Sequence, residues 1–182
     1  MQSTTQFSSK TSAKRRASSG GNVLVESAFT LLPTFALIFG MLDLGLMIFR
    51  WSTLQNAVRE GCRYAITLQT TSVGGTALGQ DASIQSIVES NAMGFVKRTD
   101  SPQHIFVNYY TTGALNTPIG SGGNTPGNLV EVSVQNITFG WLAPLSGSIW
   151  GGPLYSTTGF SMKTSSADIL GGYPAGVTSV TR

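Results

Sequence analysis

The sequence predicts an α+β fold: a long N-terminal helix packed with a second helix on a small antiparallel sheet of about three strands. Three observations carry it. An apolar run, Ala28 to Phe49, passes into a segment whose apolar residues recur every three or four positions. A shorter stretch with the same spacing follows near residue 81. Beyond residue 104 the apolar period changes to two, in three separate runs. The order α-α-β-β-β has too few elements for a doubly wound parallel sheet. Successive strands with short links favour an antiparallel sheet with the helices on one face.

Residues 1–21 are polar, rich in Ser and Thr, and hold Lys10, Lys14, Arg15 and Arg16 with no acid. Such a segment buries too little apolar surface to fold alone. It is expected to be a leader on the cytoplasmic side. Ala28 to Phe49 contains 22 residues, with Asp43 the only charge between Glu26 and Arg50. About 20 apolar residues cross a bilayer as a helix, so residues 22–50 are expected to span one. The preceding cations place the N-terminus in the cytoplasm and residues 51–182 outside. A cleaved secretory signal fits less well, because its apolar core is about 7–15 residues and ends in a small-residue site.

The helical period continues through Met47, Trp51, Leu54, Val58, Gly61, Ala65 and Leu68. One helix is therefore expected from about Val23 to Leu68, roughly 70 Å long. It is apolar all round in its first half and amphipathic in its second. Pro33 removes one backbone hydrogen bond and is expected to kink or locally unwind it.

Thr70 to Gln80 carries three glycines without periodicity and reads as a loop. Asp81 to Val96 reads as the second helix, with Asp81 or Ser83 as its cap and Ile84, Ile87, Val88, Ala92 and Phe95 on its apolar face. His104 to Thr112 is aromatic and β-branched, hence a strand. Asn116 to Asn128 is turn-rich. In "LVEVSVQNITF" Val130, Val132 and Val134 alternate with Glu131, Ser133 and Gln135. "WLAPLSGSIW", framed by Trp141 and Trp150, reads as a lid on the sheet or an apolar contact loop. A last strand is expected within Tyr155 to Ile169, with Phe160, Met162 and Thr164 on one face.

Of 182 residues, 41% are hydrophobic and 10% charged, well below the roughly 25% charged of a soluble domain. The formal charge of +3 belongs to the leader, and residues 22–182 sum to −1. No basic patch points to nucleic acid. The single Cys62 excludes an intrachain disulfide and reads as a small buried hydrophobe. The single His104 has no partners at metal-ligand spacing. No nucleophile elbow, phosphate loop or zinc-protease motif is present, and no cofactor is implied. Asp81, Glu89, Glu131 and Asp168 read as solvated surface acids.

Glu26 then needs an explanation, since lipid disfavours a carboxylate. Near the cytoplasmic interface it reaches water by snorkelling. A second reading uses its neighbours. A glycine, four residues, a glutamate and an apolar helix form the layout of a type IV prepilin cleavage site, here "GG|NVLVE". Scission after Gly21 creates an amine on Asn22. In an assembling filament that amine balances Glu26 of an adjacent subunit, since a nearby opposite charge favours the ionised form. A slipped subunit leaves both charges buried and unpaired.

The segment Val23 to Ile66, with Glu26, Pro33, Asp43-Leu44-Gly45 and "LQNAVREGCRYA", resembles TadE-like proteins. These are minor pilins or pseudopilins of tight-adherence (Tad, Flp-type) pilus systems. "VEVSVQNITFGWLAPL" is similar to the strand and turn these proteins carry before a last strand. The resemblance implies a pilin-like fold and a non-enzymatic role in assembling or priming an adherence pilus. It also implies a bacterial inner-membrane location, processing by a prepilin peptidase, and partners among Tad pilins and the inner-membrane assembly platform. Where many relatives carry an aromatic directly after the glutamate, this chain carries Ser27.

Asp43 has two readings: a marker of the outer interface bonded locally, through Arg50 seven positions on by way of water or another chain, or a polar contact between subunits. Gly40 and Gly45 flank it and admit another helix closely. Gly61 reads either as close helix-on-sheet packing or as a plain weak point of the helix. The competing function is an uncleaved single-span membrane protein with an outer binding or sensing domain.

Overall fold

The computed structural model describes residues 20–140 and 160–182. The expectations for residues 1–19, for the Trp141–Trp150 segment and for the first residues of the last strand fall outside them. The elements are α1 (Gly20–Ile66), β1 (Ser72–Val73), β2 (Thr76–Ala77), α2 (Gln80–Asn91), β3 (Ile105–Tyr110), β4 (Leu129–Phe139) and β5 (Phe160–Ile169). The α+β expectation is met, with three antiparallel strands in the order β3-β4-β5. Two compact units divide between residues 38 and 39.

The first unit is, among the described residues, the N-terminal part of α1. The helix begins at Gly20, three residues before the expected start, and Pro33 lies within it. Of the kink or local unwinding expected at Pro33, the unwinding does not occur, since the helix is continuous through it. Proline lacks one N–H and leaves the rest of the ladder in place. The hydroxyls of Ser27, Thr30 and Thr34 donate back to the carbonyls of Val23, Glu26 and Thr30 at 2.8, 3.1 and 2.7 Å. A polar group on an apolar helix thereby finds its acceptor within the helix itself.

The second unit holds the core. Leu54, Ala57, Val58, Cys62 and Ala65 of α1 are buried against Ile84 and Val88 of α2 and the inner face of the sheet. That face carries Ile105, Val107 and Tyr109 of β3 and Val130, Val132 and Val134 of β4. The predicted stripe on α1 is buried from Leu54 onward, whereas Trp51 stays 47% exposed. Gly61 sits where a Cβ would collide with Val88 Cγ2 and meet Val132 Cγ1 at 3.6 Å. The glycine thus permits close packing, chiefly of helix on helix rather than helix on sheet.

On β4 the alternation changes phase. The register shifts between Val134 and Ile137, and Asn136 has φ 60°. This bulge inserts the extra residue that keeps Ile137 and Phe139 buried alongside Val130, Val132 and Val134. On β5 Met162 and Thr164 are buried, as their alternation predicts.

Three expectations need correction. The Thr70–Gln80 segment contains the β1–β2 hairpin, turning on Gly74 and Gly75 at φ 60° and 82°. Two consecutive left-handed glycines form the tight turn that matches strand twist. The second helix is shorter than expected, because Met93 and Gly94 both adopt positive φ and end it. Neither Asp81 nor Ser83 caps it: the cap residue is Gly79, without a side-chain bond.

The C-terminal end of α1 is tied to distant segments. Gln80 Nε2 donates to the Ala65 carbonyl at 3.3 Å, and the Gly171 amide donates to the Ile66 carbonyl at 3.0 Å.

Candidate functional site

The apolar face of α1 is the first candidate. Most side chains from Val23 to Phe49 are exposed, with Leu24, Phe29 and Leu37 at 73%, 81% and 67% and Asp43 the buried exception. A core helix would bury these groups. By length and composition this helix can cross a membrane. Burial of each such side chain is worth about 1.5–3 kcal/mol, which a bilayer supplies and water does not.

On this helix Glu26 is exposed and borders a shallow hollow with Val23, Ser27, Thr30 and Leu31. Its carboxylate has no ion-pair partner among the described residues. Gly21 lies in the first turn, exposed, with open space where a Cβ would stand. Asn22 follows in the same turn. The bond between them is therefore helical here. Pro33 is exposed on the same helix, and Gly40 and Gly45 have no described atom within 4 Å of a built Cβ.

Asp43 is fully buried and engaged in an interaction. The Arg50 guanidinium lies over the rings of Phe95 and Phe139, at 4.9 and 5.4 Å from their centres. Phe95 also meets Phe49 edge-on, with ring centres 6.1 Å apart.

A second cluster escaped the sequence. Asp81 accepts from Tyr109 Oη at 2.7 Å and from Arg182 Nε at 2.7 Å. Arg182 stacks its guanidinium 4.8 Å above the Tyr109 ring and donates to the carbonyls of Ile119 and Gly122. Burial, followed by the bond to Asp81 and its charge, pushes the Tyr109 hydroxyl well above the ordinary phenol value. Asp81 is thus a structural partner and not a scattered surface acid. No periodicity links positions 81, 109 and 182, so the sequence carried no signal for it.

Neither cluster is catalytic in form. Cys62 is buried, and burial pushes its thiol up, which opposes the reactive thiolate. His104 places Nδ1 3.1 Å from the Gln135 carbonyl and joins the β3–β4 ladder end. No group of three metal-ligating side chains occurs among the described residues.

Residues 21–63 match the family described as TadE-like protein. The match lies wholly within α1, begins on Gly21 and includes Glu26, Pro33, Gly40, Asp43 and Gly45. No curated protein matches the chain, and no solved structure matches it.

Proposed function

We propose that this chain, TadE-like over residues 21–63, is a non-enzymatic minor pilin or pseudopilin that helps assemble or prime a Tad-type adherence pilus. The family match and the exposed apolar helix together indicate a pilin-related, membrane-anchored protein. The finer reading is that residues 1–21 form a cytoplasmic leader, 22–50 span the bacterial inner membrane, and 51–182 lie in the periplasm. A prepilin peptidase cuts between Gly21 and Asn22. The new Asn22 amine of one subunit then pairs with Glu26 of its neighbour. Other Tad pilins and the inner-membrane platform are its partners.

One observation carries this reading. Glu26 is an exposed carboxylate without an ion-pair partner among the described residues, on a helix otherwise suited to lipid, at the fifth position after Gly21. In a bilayer such a carboxylate calls for a counter-charge, which the amine of an adjacent subunit would supply.

N-terminal analysis of the chain from cells with and without the peptidase tests it. A mature chain starting at Asn22, seen only with the peptidase, supports the reading. A functional chain that keeps its leader in both cells sinks it and leaves the uncleaved single-span alternative.

A further inference from the structure

Arg182 is held as a ligand is held. Its Nε donates to Asp81 Oδ2 at 2.7 Å, and its Nη1 donates to the carbonyls of Ile119 and Gly122, each at 3.0 Å. These bonds engage every hydrogen on the two nitrogens. The guanidinium carbon lies 4.8 Å from the centre of the Tyr109 ring. A carboxylate, two carbonyls and an aromatic face suit a guanidinium better than an ammonium, which has neither the fork nor the plane. All four partners lie outside the tail, on α2, on β3 and on the segment between β3 and β4.

The same place holds the main chain beside Arg182. Asn124 Nδ2 donates to the Val180 carbonyl at 2.7 Å, and the Gln80 amide donates to the Thr181 carbonyl at 2.8 Å. The second bond satisfies an amide at the start of α2, where Gly79 offers no side-chain cap.

Between this end and the sheet the tail is loose. The Gly171 amide is bonded to the Ile66 carbonyl at 3.0 Å, and Tyr173 Oη reaches the Asn124 carbonyl at 3.5 Å. From Pro174 to Ser179 the one hydrogen bond among the described residues is local, from the Val177 amide to the Pro174 carbonyl. Residues 175–179 are exposed, and Val177 and Ser179 border, with Leu68 and Leu78, a hollow of about 470 Å³. A segment with few ties in its middle opens at less cost than the body unfolds.

We infer that Asp81, Tyr109 and the carbonyls of Ile119 and Gly122 form a guanidinium-binding site that the chain fills with its own Arg182, and that residues 172–182 are a strap that leaves it as a unit. Once vacated, the site takes an arginine side chain of another chain. The tethered Arg182 competes with that ligand at a high effective concentration, so the strap keeps the site shut until it is displaced. This goes beyond the pilin reading and does not depend on it.

Hydrogen exchange and thermal unfolding of the full chain in detergent test the proposal. With Arg182→Ala, the Gln80 amide exchanges severalfold faster, while the Val132 amide of β4 keeps its rate. Equal acceleration of both, or of neither, overturns the strap. Arg182→Lys keeps the charge without the fork; it falls between, and replaces the alanine variant in both measurements if that variant does not fold. Millimolar ethylguanidinium raises the unfolding midpoint of Arg182→Ala along a saturating curve and leaves the unsubstituted chain unmoved, because its site is full. The peptide acetyl-Ser-Val-Thr-Arg-amide acts likewise, and ethylammonium at the same concentration does not. Absence of rescue overturns the site. Rescue that persists in the double variant Asp81→Asn, Arg182→Ala, or that appears equally in the unsubstituted chain, puts the probe elsewhere and also overturns it. Rescue by ethylguanidinium and not by the peptide removes another chain's arginine as the ligand.

Discussion

Arg182 and Asp81, 101 positions apart, meet at 2.7 Å beside the N-terminal turn of α2. Both side chains are about a quarter exposed, at 24% and 26%. The pair is not a free surface bridge, because Asp81 also accepts from the buried Tyr109 and Arg182 also holds two loop carbonyls. The Gly79 position is packed against this tail, with a built Cβ 2.6 Å from the Arg182 carbonyl oxygen. Arg182→Ala is expected to lower stability by about 1–2 kcal/mol, more than the median exposed pair. Thermal unfolding in detergent checks this, and Arg63→Ala serves as the comparison. Arg63 contacts Glu60 at 3.3 Å on an exposed helix face and should change little.

The same cluster gives a pH signature. The folded Tyr109 hydroxyl is held above its unfolded value of about 10. Its contribution is complete below pH ~10 and is lost as pH rises above that value, where only the unfolded chain readily ionises. Tyr64 and Tyr110 shift in the same direction. Tyr109→Phe should therefore reduce, without abolishing, the alkaline loss of stability. Urea unfolding across that pH range measures it.

Gly61→Ala should destabilise the body by about 1–3 kcal/mol, because the new methyl collides with Val88. Val88→Ala opens the space. The double variant should be less destabilised than the sum of the two single variants, as contacting sites are not additive. If the two changes simply add, Gly61 is not a packing position.

Cys62 should resist maleimide in the folded chain and react fast once unfolded, since it is buried and its thiol is pushed up by that burial. Mass shift after timed labelling reads this directly. Rapid labelling without unfolding contradicts the packing of α1 on the sheet.

The processing site proposed above gives a separable pair. Gly21→Ala should slow leader removal, read by mature-chain yield, because the scissile glycine changes. Glu26→Ala should still insert and be trimmed but fail to assemble, read by recovery of the chain with pili. Normal assembly of Glu26→Ala removes the charge-pairing idea while leaving cleavage in place.

Much of the fold was legible because its signals are local. The α1 stripe from Leu54 to Leu68 reports a face that the core buries, and β4 shows its two-residue alternation from Val130 to Val134. The hairpin at Gly74-Gly75 was also local and was missed, because the flanking strands have two residues each and no alternation to display. Asn136 hid a bulge, since a single inserted residue leaves the composition of the strand unchanged. Asp81 misled because an acid at a helix start usually caps, and here a tyrosine and an arginine far along the chain compete for it. Within the candidate site, the offset from Gly21 to Glu26 is a local signal that the sequence displays, while the stacking of Arg50 on Phe95 and Phe139 joins positions too far apart for any local pattern to show.

The two carbonyls at the end of α1, those of Ala65 and Ile66, give the helix a mechanical role. Tension along residues 39–66 reaches Gln80 through one and Gly171 through the other, so the load divides between the second helix and the exit of the last strand. A pull on the helix is therefore expected to load α2 and the last strand together, and not the segment after Leu68 alone.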